Sequence, residues 1–223
     1  MVTMLNRMLW RDLWHLRGQV IAAALVVACG IATLVATRGT HQSLLLAQDD
    51  YYRTHRFADV FVHLKRAPDA LAGQIRQLPG VAQVRTRIVT EVAVDVPGLM
   101  EPAVARLVSV PGQRPIMLND LQIVRGRYLD AGAVDEILVS AAFAKANQLK
   151  VGDQLGALLH GRWRELTITG IALSPEFVYE VGSGTIFPDN RRYGVIWMAE
   201  DALAAAFDMR GAFNDVALSL SAG

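Results

Sequence analysis

The chain has 223 residues, a formal net charge of +1 and 52% apolar residues. The near-balance of charge excludes the broad basic footprint of a nucleic-acid-binding protein, and the apolar excess points to a segment made for lipid. Cys29 is the only cysteine, which excludes an internal disulfide and a thiolate zinc cluster.

The chain opens with Leu5, Met8, Leu9, Leu13 and Leu16 at helical spacing, while Arg7 and Arg11 take other faces. Trp10 and Trp14, one turn apart, suit the headgroup region, where an indole buries its body and keeps its N–H wet. With Arg7, Arg11 and Arg17 they make residues 1–18 an amphipathic membrane-interface segment. No charge follows from Gln19 to Thr37, a run of 19 residues centred on VIAAALVVACGIATLV. At about 1.5 Å per residue such a run crosses most of a roughly 30 Å hydrocarbon layer. Residues 19–37 are therefore expected to be a transmembrane helix, with Gly18, Gly30 and the alanines open to a second helix. A buried core helix would keep a polar stripe, which this run lacks. A cleaved signal peptide is the other reading. The arginines would be its basic start and Val26-Val27-Ala28-Cys29 loosely resembles a lipoprotein cleavage site, yet the apolar run continues past Cys29. Three arginines before the span, against Arg38 alone immediately after it, favour a cytoplasmic N-terminus; Arg53 and Arg56 weigh the other way.

Residues 38–57 lack proline, and Leu45, Gln48 and Tyr52 share one side, so a stalk helix continuing the span is expected. From Ala58 the period changes. Asp59 to Leu64 alternates as a strand, and Pro68-Asp69 opens a short helix through Leu71, Ile75 and Leu78 that Pro79-Gly80 ends. Val81 to Val96 predicts one or two strands, Pro97-Gly98 a turn, and Val104 to Val110 another strand. The turn-rich stretch 111–119 marks a possible change of subdomain. Beyond it come Leu121 to Val124, a strand at Glu136 to Val139, and a helix Ala141 to Leu149 capped by Ser140. A hairpin follows, Gln154 to Leu159 and Leu166 to Ile171, turning at His160-Gly161-Arg162 with a bulge at Gly170. A helix at Glu200 to Met209 and a strand at Val216 to Leu220 close the chain. Strands and short helices alternate without regular βαβ order, which predicts an α+β fold of two small lobes over residues 58–223.

The sequence offers no catalytic, metal or cofactor site. A Walker loop and a His-Glu-x-x-His motif are missing, Gly182-Ser183-Gly184 lacks the setting of a dinucleotide loop, and the five histidines are scattered. Glu176 and Glu180 flank Tyr179 at helical spacing, but Pro175 and the following glycines favour a solvated loop edge over a carboxylate pair. Phe177, Tyr179 and Phe187 are candidates for a partner-binding loop, with packing on their own domain as the alternative.

Gly126-Arg127-Tyr128-Leu129, Glu136-Ile137-Leu138-Val139-Ser140, Ala144, Leu149-Lys150-Val151-Gly152-Asp153 and Thr169-Gly170-Ile171-Ala172 follow the span in an order that resembles the MacB/FtsX-like permeases of ABC transport systems. The likeness is to their first transmembrane helix and MacB-like periplasmic core domain. Ser174 to Tyr179 and Phe187-Pro188-Asp189 look like a subfamily of such permeases. The resemblance implies a bacterial inner-membrane location with the main domain periplasmic, and a permease homo- or heterodimer driven by a separate cytoplasmic ATPase. ATP would bind that subunit, and no cofactor is expected in this chain. A periplasmic partner or substrate is implied, and motion would pass through spans and stalks. Such permeases have at least four spans, whereas one is read here, so a fragment or split subunit is expected. The rival reading is a single-pass anchored binding or scaffold protein independent of ATP.

Overall fold

The structure is a computed structural model that describes residues 16–180, 182 and 187–221. It divides into two compact units, Met1–Tyr51 and Tyr52–Gly223. Arg7, Trp10, Arg11 and Trp14 lie outside the described residues.

Helix α1 runs without interruption over Arg17–Thr54 and none of its residues is buried. Alanine and unbranched residues favour it, and the β-branched valines are accommodated because no turn breaker interrupts the run. It is long and apolar enough to cross a membrane. The Thr33 hydroxyl donates to the Cys29 carbonyl and that of Thr37 to the Thr33 carbonyl, each at 2.8 Å. Both hydroxyls are thus satisfied within the helix, as a hydrocarbon environment requires. The helix stops at Thr54, three residues before the expected end of the stalk, because Arg56 takes a left-handed conformation (φ 49°).

The second unit is α+β. Its elements are β1 (Val60–Pro68), α2 (Ala70–Arg76), β2 (Val81–Arg87), β3 (Val89–Asp95), β4 (Ala103–Val110), β5 (Gln122–Gly126) and β6 (Glu136–Ser140). Then follow α3 (Ala141–Ala146), β7 (Gln154–Leu159), β8 (Arg162–Leu173), a 3₁₀ turn (Pro175–Phe177), β9 (Tyr193–Ala199), α4 (Glu200–Ala206) and β10 (Ala212–Leu220). Two sheets result. The small one has the order β1-β10-β2, antiparallel throughout. The large one has the order β5-β8-β6-β9-β4-β3-β7, and β7 also pairs with β8, so six of its strands close into a ring.

The main core is built on that ring, with Leu107, Ile137, Leu138, Leu155, Ile168 and Ile196 from its strands and Phe143 from α3 all fully buried. Strand β9, YGVIWMA, is buried along its whole length and sits between β6 and β4. It is absent from the expectations above because an unbroken apolar run carries no period to read. A smaller core of Ala67, Ala72, Phe213 and Val216 lies between the small sheet and α2.

The chain changes sheet twice, at Ile88 and again between β9 and β10, and not in the 111–119 stretch. That stretch joins β4 to β5, both in the large sheet, so its turn residues mark a connection rather than a boundary. Strands β2 and β3 are one β-branched run that leaves one sheet and enters the other. Asn214 makes the passage possible: its side chain accepts from the Val89 N–H and donates to the Val89 carbonyl, both at 2.8 Å. It takes the place of a ladder partner where the ladder stops. The bulge expected at Gly170 is present, since Ile168 and Gly170 pair with successive residues of β6. Gly126 packs on it with φ 79°, and a Cβ there would stand 2.2 Å from the Thr169 carbonyl oxygen. Only glycine fits.

Candidate functional site: a buried ion cluster around the Tyr52–Ala58 turn

After Thr54 the chain turns sharply. The Phe57 N–H bonds the Tyr52 carbonyl at 2.9 Å, and the Tyr52, Phe57 and Phe61 rings follow one another at 4.8 and 5.7 Å. The carbonyls at the helix end find donors in the β4–β5 connection: Asn119 N–H to the Arg56 carbonyl and Asp120 N–H to the His55 carbonyl, both 2.9 Å.

Asn119 is the keystone of this turn. It is buried and left-handed (φ 53°), a conformation asparagine tolerates better than most residues. Its Oδ1 accepts from the Ala58 N–H at 2.9 Å, and its Nδ2 donates to Glu176 Oε2 at 2.8 Å. Glu176 comes from the 3₁₀ turn after β8, whose start is capped by the Ser174 hydroxyl.

Glu176 in turn binds Arg87, the last residue of β2. Arg87 Nη2 donates to Glu176 Oε1 at 2.9 Å, and Nη1 is paired with Oε2. The same guanidinium reaches Asp215 of β10 through Nε at 2.7 Å and Nη2 at 2.5 Å. His63 Nδ1 of β1 lies against the other Asp215 oxygen. Arg87 is 2% exposed and Asp215 0%, and the Arg87 guanidinium stacks over the Phe61 ring at 5.8 Å. Burial opposes the charge of Arg87, but the hydrogen bonds it donates to Glu176 and the charges of both carboxylates outweigh it and hold its pKa above the ordinary value. One cation and two carboxylates carry a net charge of −1.

The cluster ties the Tyr52–Ala58 turn, the β4–β5 connection, the 3₁₀ turn and all three strands of the small sheet. Chemically it is a clamp. It holds no nucleophile beside a base, and no group of three or more His, Cys, Asp or Glu among the described residues could hold a metal.

The expected solvated edge at Glu176 and Glu180 is corrected here. The backbone is irregular as anticipated, yet both carboxylates turn inward, Glu176 to Arg87 and Glu180 to the Ser140 hydroxyl at 2.9 Å. Glu180 is 4% exposed, and burial pushes its carboxyl up to about 7 against the pull of the Ser140 and Val195 hydrogen bonds. Sequence reasoning found neither partner. Arg87 and Asp215 are 128 positions apart, and each alone reads as an ordinary strand charge.

Of the other residues singled out from the sequence, Arg17 is the first residue of α1 and exposed. Phe177 is half-buried against Trp197, with ring centroids 6.2 Å apart, whereas Tyr179 and Phe187 are exposed. The structure therefore separates Phe177, which packs inward, from the two outward rings.

No protein-family model matches the sequence, and no curated protein matches it. Among solved structures, the chain is similar to the extracellular domain of the noncanonic ABC-type transporter YknZ from Gram-positive bacteria: 12% identity, TM-score 0.47, over 73% of this chain and 83% of that one. It is also similar to the periplasmic region of MacB from Actinobacillus actinomycetemcomitans: 10% identity, TM-score 0.44, over 72% of this chain and 66% of that one. A third is a domain of a proposed permease from Porphyromonas gingivalis: 13% identity, TM-score 0.41, over 72% of this chain and 71% of that one.

Proposed function

We propose that this chain is a permease component, or part of one, of an ABC transport system of the MacB/FtsX kind. It would couple a separate cytoplasmic ATPase to an extracytoplasmic domain that handles a substrate or a partner, without catalysis of its own. The observation that carries the reading is the continuity of α1. One helix takes the chain from the apolar run to Thr54, and the residues that follow are clamped by Asn119, Glu176, Arg87 and Asp215. A rigid helix ending in a buried clamp is suited to passing a displacement into a folded domain, because helices move as bodies more readily than they bend.

In this reading residues 19–37 span the bacterial inner membrane, the N-terminus is cytoplasmic, and two permease chains, alike or different, pair and are driven by the cytoplasmic ATPase. Tyr179 and Phe187 would face an extracytoplasmic partner. Affinity purification of the membrane-extracted full-length chain, with mass spectrometry and an ATPase assay of the eluate, tests this. A stoichiometric nucleotide-binding subunit with ATPase activity is expected. A well-folded chain that purifies with none would favour the single-pass binding or scaffold protein instead, a reading that the single candidate span among the described residues also fits.

A further inference from the structure

Arg85 sits two residues from the ion cluster on β2 and is treated quite differently. It is half-buried, and among the ion pairs of the described residues it has no carboxylate partner. Two of its five N–H donors are bonded, both to carbonyls: Nη1 to Leu118 at 2.5 Å and Nη2 to Ser109 at 3.4 Å. Burial, and then the neighbouring charge of Arg87, push its pKa down to about 10, so it remains a cation at neutral pH. Among the described residues no carboxylate is hydrogen-bonded to this guanidinium, and the charges of Glu176 and Glu200 only partly offset its burial, which leaves it able to take a further anion.

The surroundings supply the room. Arg85 lines a cleft of about 350 Å³ between β2, the end of α2 and the β4–β5 connection, within the range of small-molecule sites. Strand β2 is one of the two outer strands of the small sheet, so the cleft lies beside a sheet edge. Arg76 stands in the wall as a second cation, no acidic residue lines it, and Val84, Ile116, Met117 and Leu118 give it an apolar face. Ile116 is 78% exposed, unusual for an isoleucine that nothing else covers.

A purely structural role for Arg85, pinning the β4–β5 connection to β2, accounts for the two carbonyl bonds. It does not account for a second arginine, a lining without Asp or Glu, or an exposed isoleucine on the same cleft. We propose that this cleft binds an amphipathic anion: a carboxylate or phosphate head on Arg85 and Arg76, with an aliphatic chain along Val84, Ile116 and Met117. The binding does not depend on the transport reading above. It bears on the clamp, because the Leu118 carbonyl held by Arg85 precedes Asn119 directly, so a head group drawing on Arg85 acts one residue from the keystone.

The test uses the full chain in phosphatidylcholine nanodiscs, with the Met117 methyl resonance as the reporter, assigned by its loss in Met117→Leu. Octyl phosphate is titrated against inorganic phosphate and 1-octanol. Octyl phosphate is expected to shift the signal saturably, with inorganic phosphate and octanol each at least about tenfold weaker, since each lacks one half of the recognition. Arg85→Gln is expected to weaken octyl phosphate about tenfold or more, the loss of a charge-assisted contact. Because Arg85→Gln also frees two carbonyls, Arg76→Glu, at an exposed position, is the second variant and should weaken binding at least as clearly. A Met117 shift in phosphatidylglycerol nanodiscs without added ligand would identify a membrane lipid as the source; a shift only with soluble octyl phosphate or octanoate would identify a free amphiphile. Either supports the site. Saturable octyl phosphate binding unchanged in both variants, or no Met117 shift with any anion, would overturn it.

Discussion

Replacing Arg87 with methionine keeps most of the side-chain volume and removes the one cation that two buried carboxylates share. Asp215, fully buried, would keep only His63, and Glu176 would keep only Asn119. Breaking a buried ion pair from one side costs about 3–5 kcal/mol, because the remaining charge is left uncompensated. For a unit of this size each 1 kcal/mol moves Tm by about 2–4 °C, so Arg87→Met should lower Tm by about 10 °C. The Phe177–Trp197 contact makes tryptophan fluorescence a local reporter of the same event. Asp215→Asn alone should also destabilise, and in the double variant Arg87→Met with Asp215→Asn the two losses should not add: a coupling of about 2 kcal/mol or more is expected. Thermal and urea unfolding of the four proteins, as full chains in detergent, measures the cycle. A single-variant loss under 1 kcal/mol, or strict additivity, would refute the clamp.

Three further outcomes follow from the same geometry. Glu180 has a folded-state pKa raised to about 7 above its ordinary 4.5, so the folded state binds the extra proton and stability falls as pH rises between those values. Unfolding of Glu180→Gln, compared with the parent from pH 5 to pH 8, should show that slope removed and the variant the more stable at pH 8; parallel curves would contradict it. Asn119→Gly should cost about 1–2 kcal/mol through the lost Ala58 and Glu176 bonds, and Asn119→Ala about 1 kcal/mol more for its left-handed backbone. Denaturant titration reads the order, which would be wrong if alanine were the milder change. Gly126→Ala should destabilise by more than about 2 kcal/mol, since it meets the Thr169 carbonyl and takes φ 79°; near-parental Tm would mean the β5–β8 bulge relaxes.

Where the sequence carried a period or a punctuation mark, it could be read. Gly161 holds a left-handed turn where the hairpin is expected to turn at His160-Gly161-Arg162, and Ser140 does precede α3, though its hydroxyl goes to Glu180 rather than to the helix. The uncharged run from Gln19 to Thr37 was legible for the same reason, its length being set by the helix rise. Strand β9 was not, because a strand buried on both faces has no polar alternation. The clamp was hidden for a different reason. It joins His63, Arg87 and Asp215, on three strands of one sheet, to Asn119 and Glu176 in two distant connections, and a buried ion pair looks in sequence like two surface charges. Asn214 could have been noticed as an asparagine inside a strand pattern, a residue depleted there unless its side chain has a backbone task.

The proposed transmission through α1 is tested most directly by hydrogen–deuterium exchange of the chain purified with the nucleotide-binding subunit the proposal requires, nucleotide-free against ATP-trapped, read at residues 52–64 and 119. The account expects exchange there to change with nucleotide in the parent chain, and the change to vanish when Gly-Pro is inserted after Gln48, with the rest of the domain protected as before. Exchange that ignores nucleotide, or responds equally in the inserted chain, would contradict transmission through the helix.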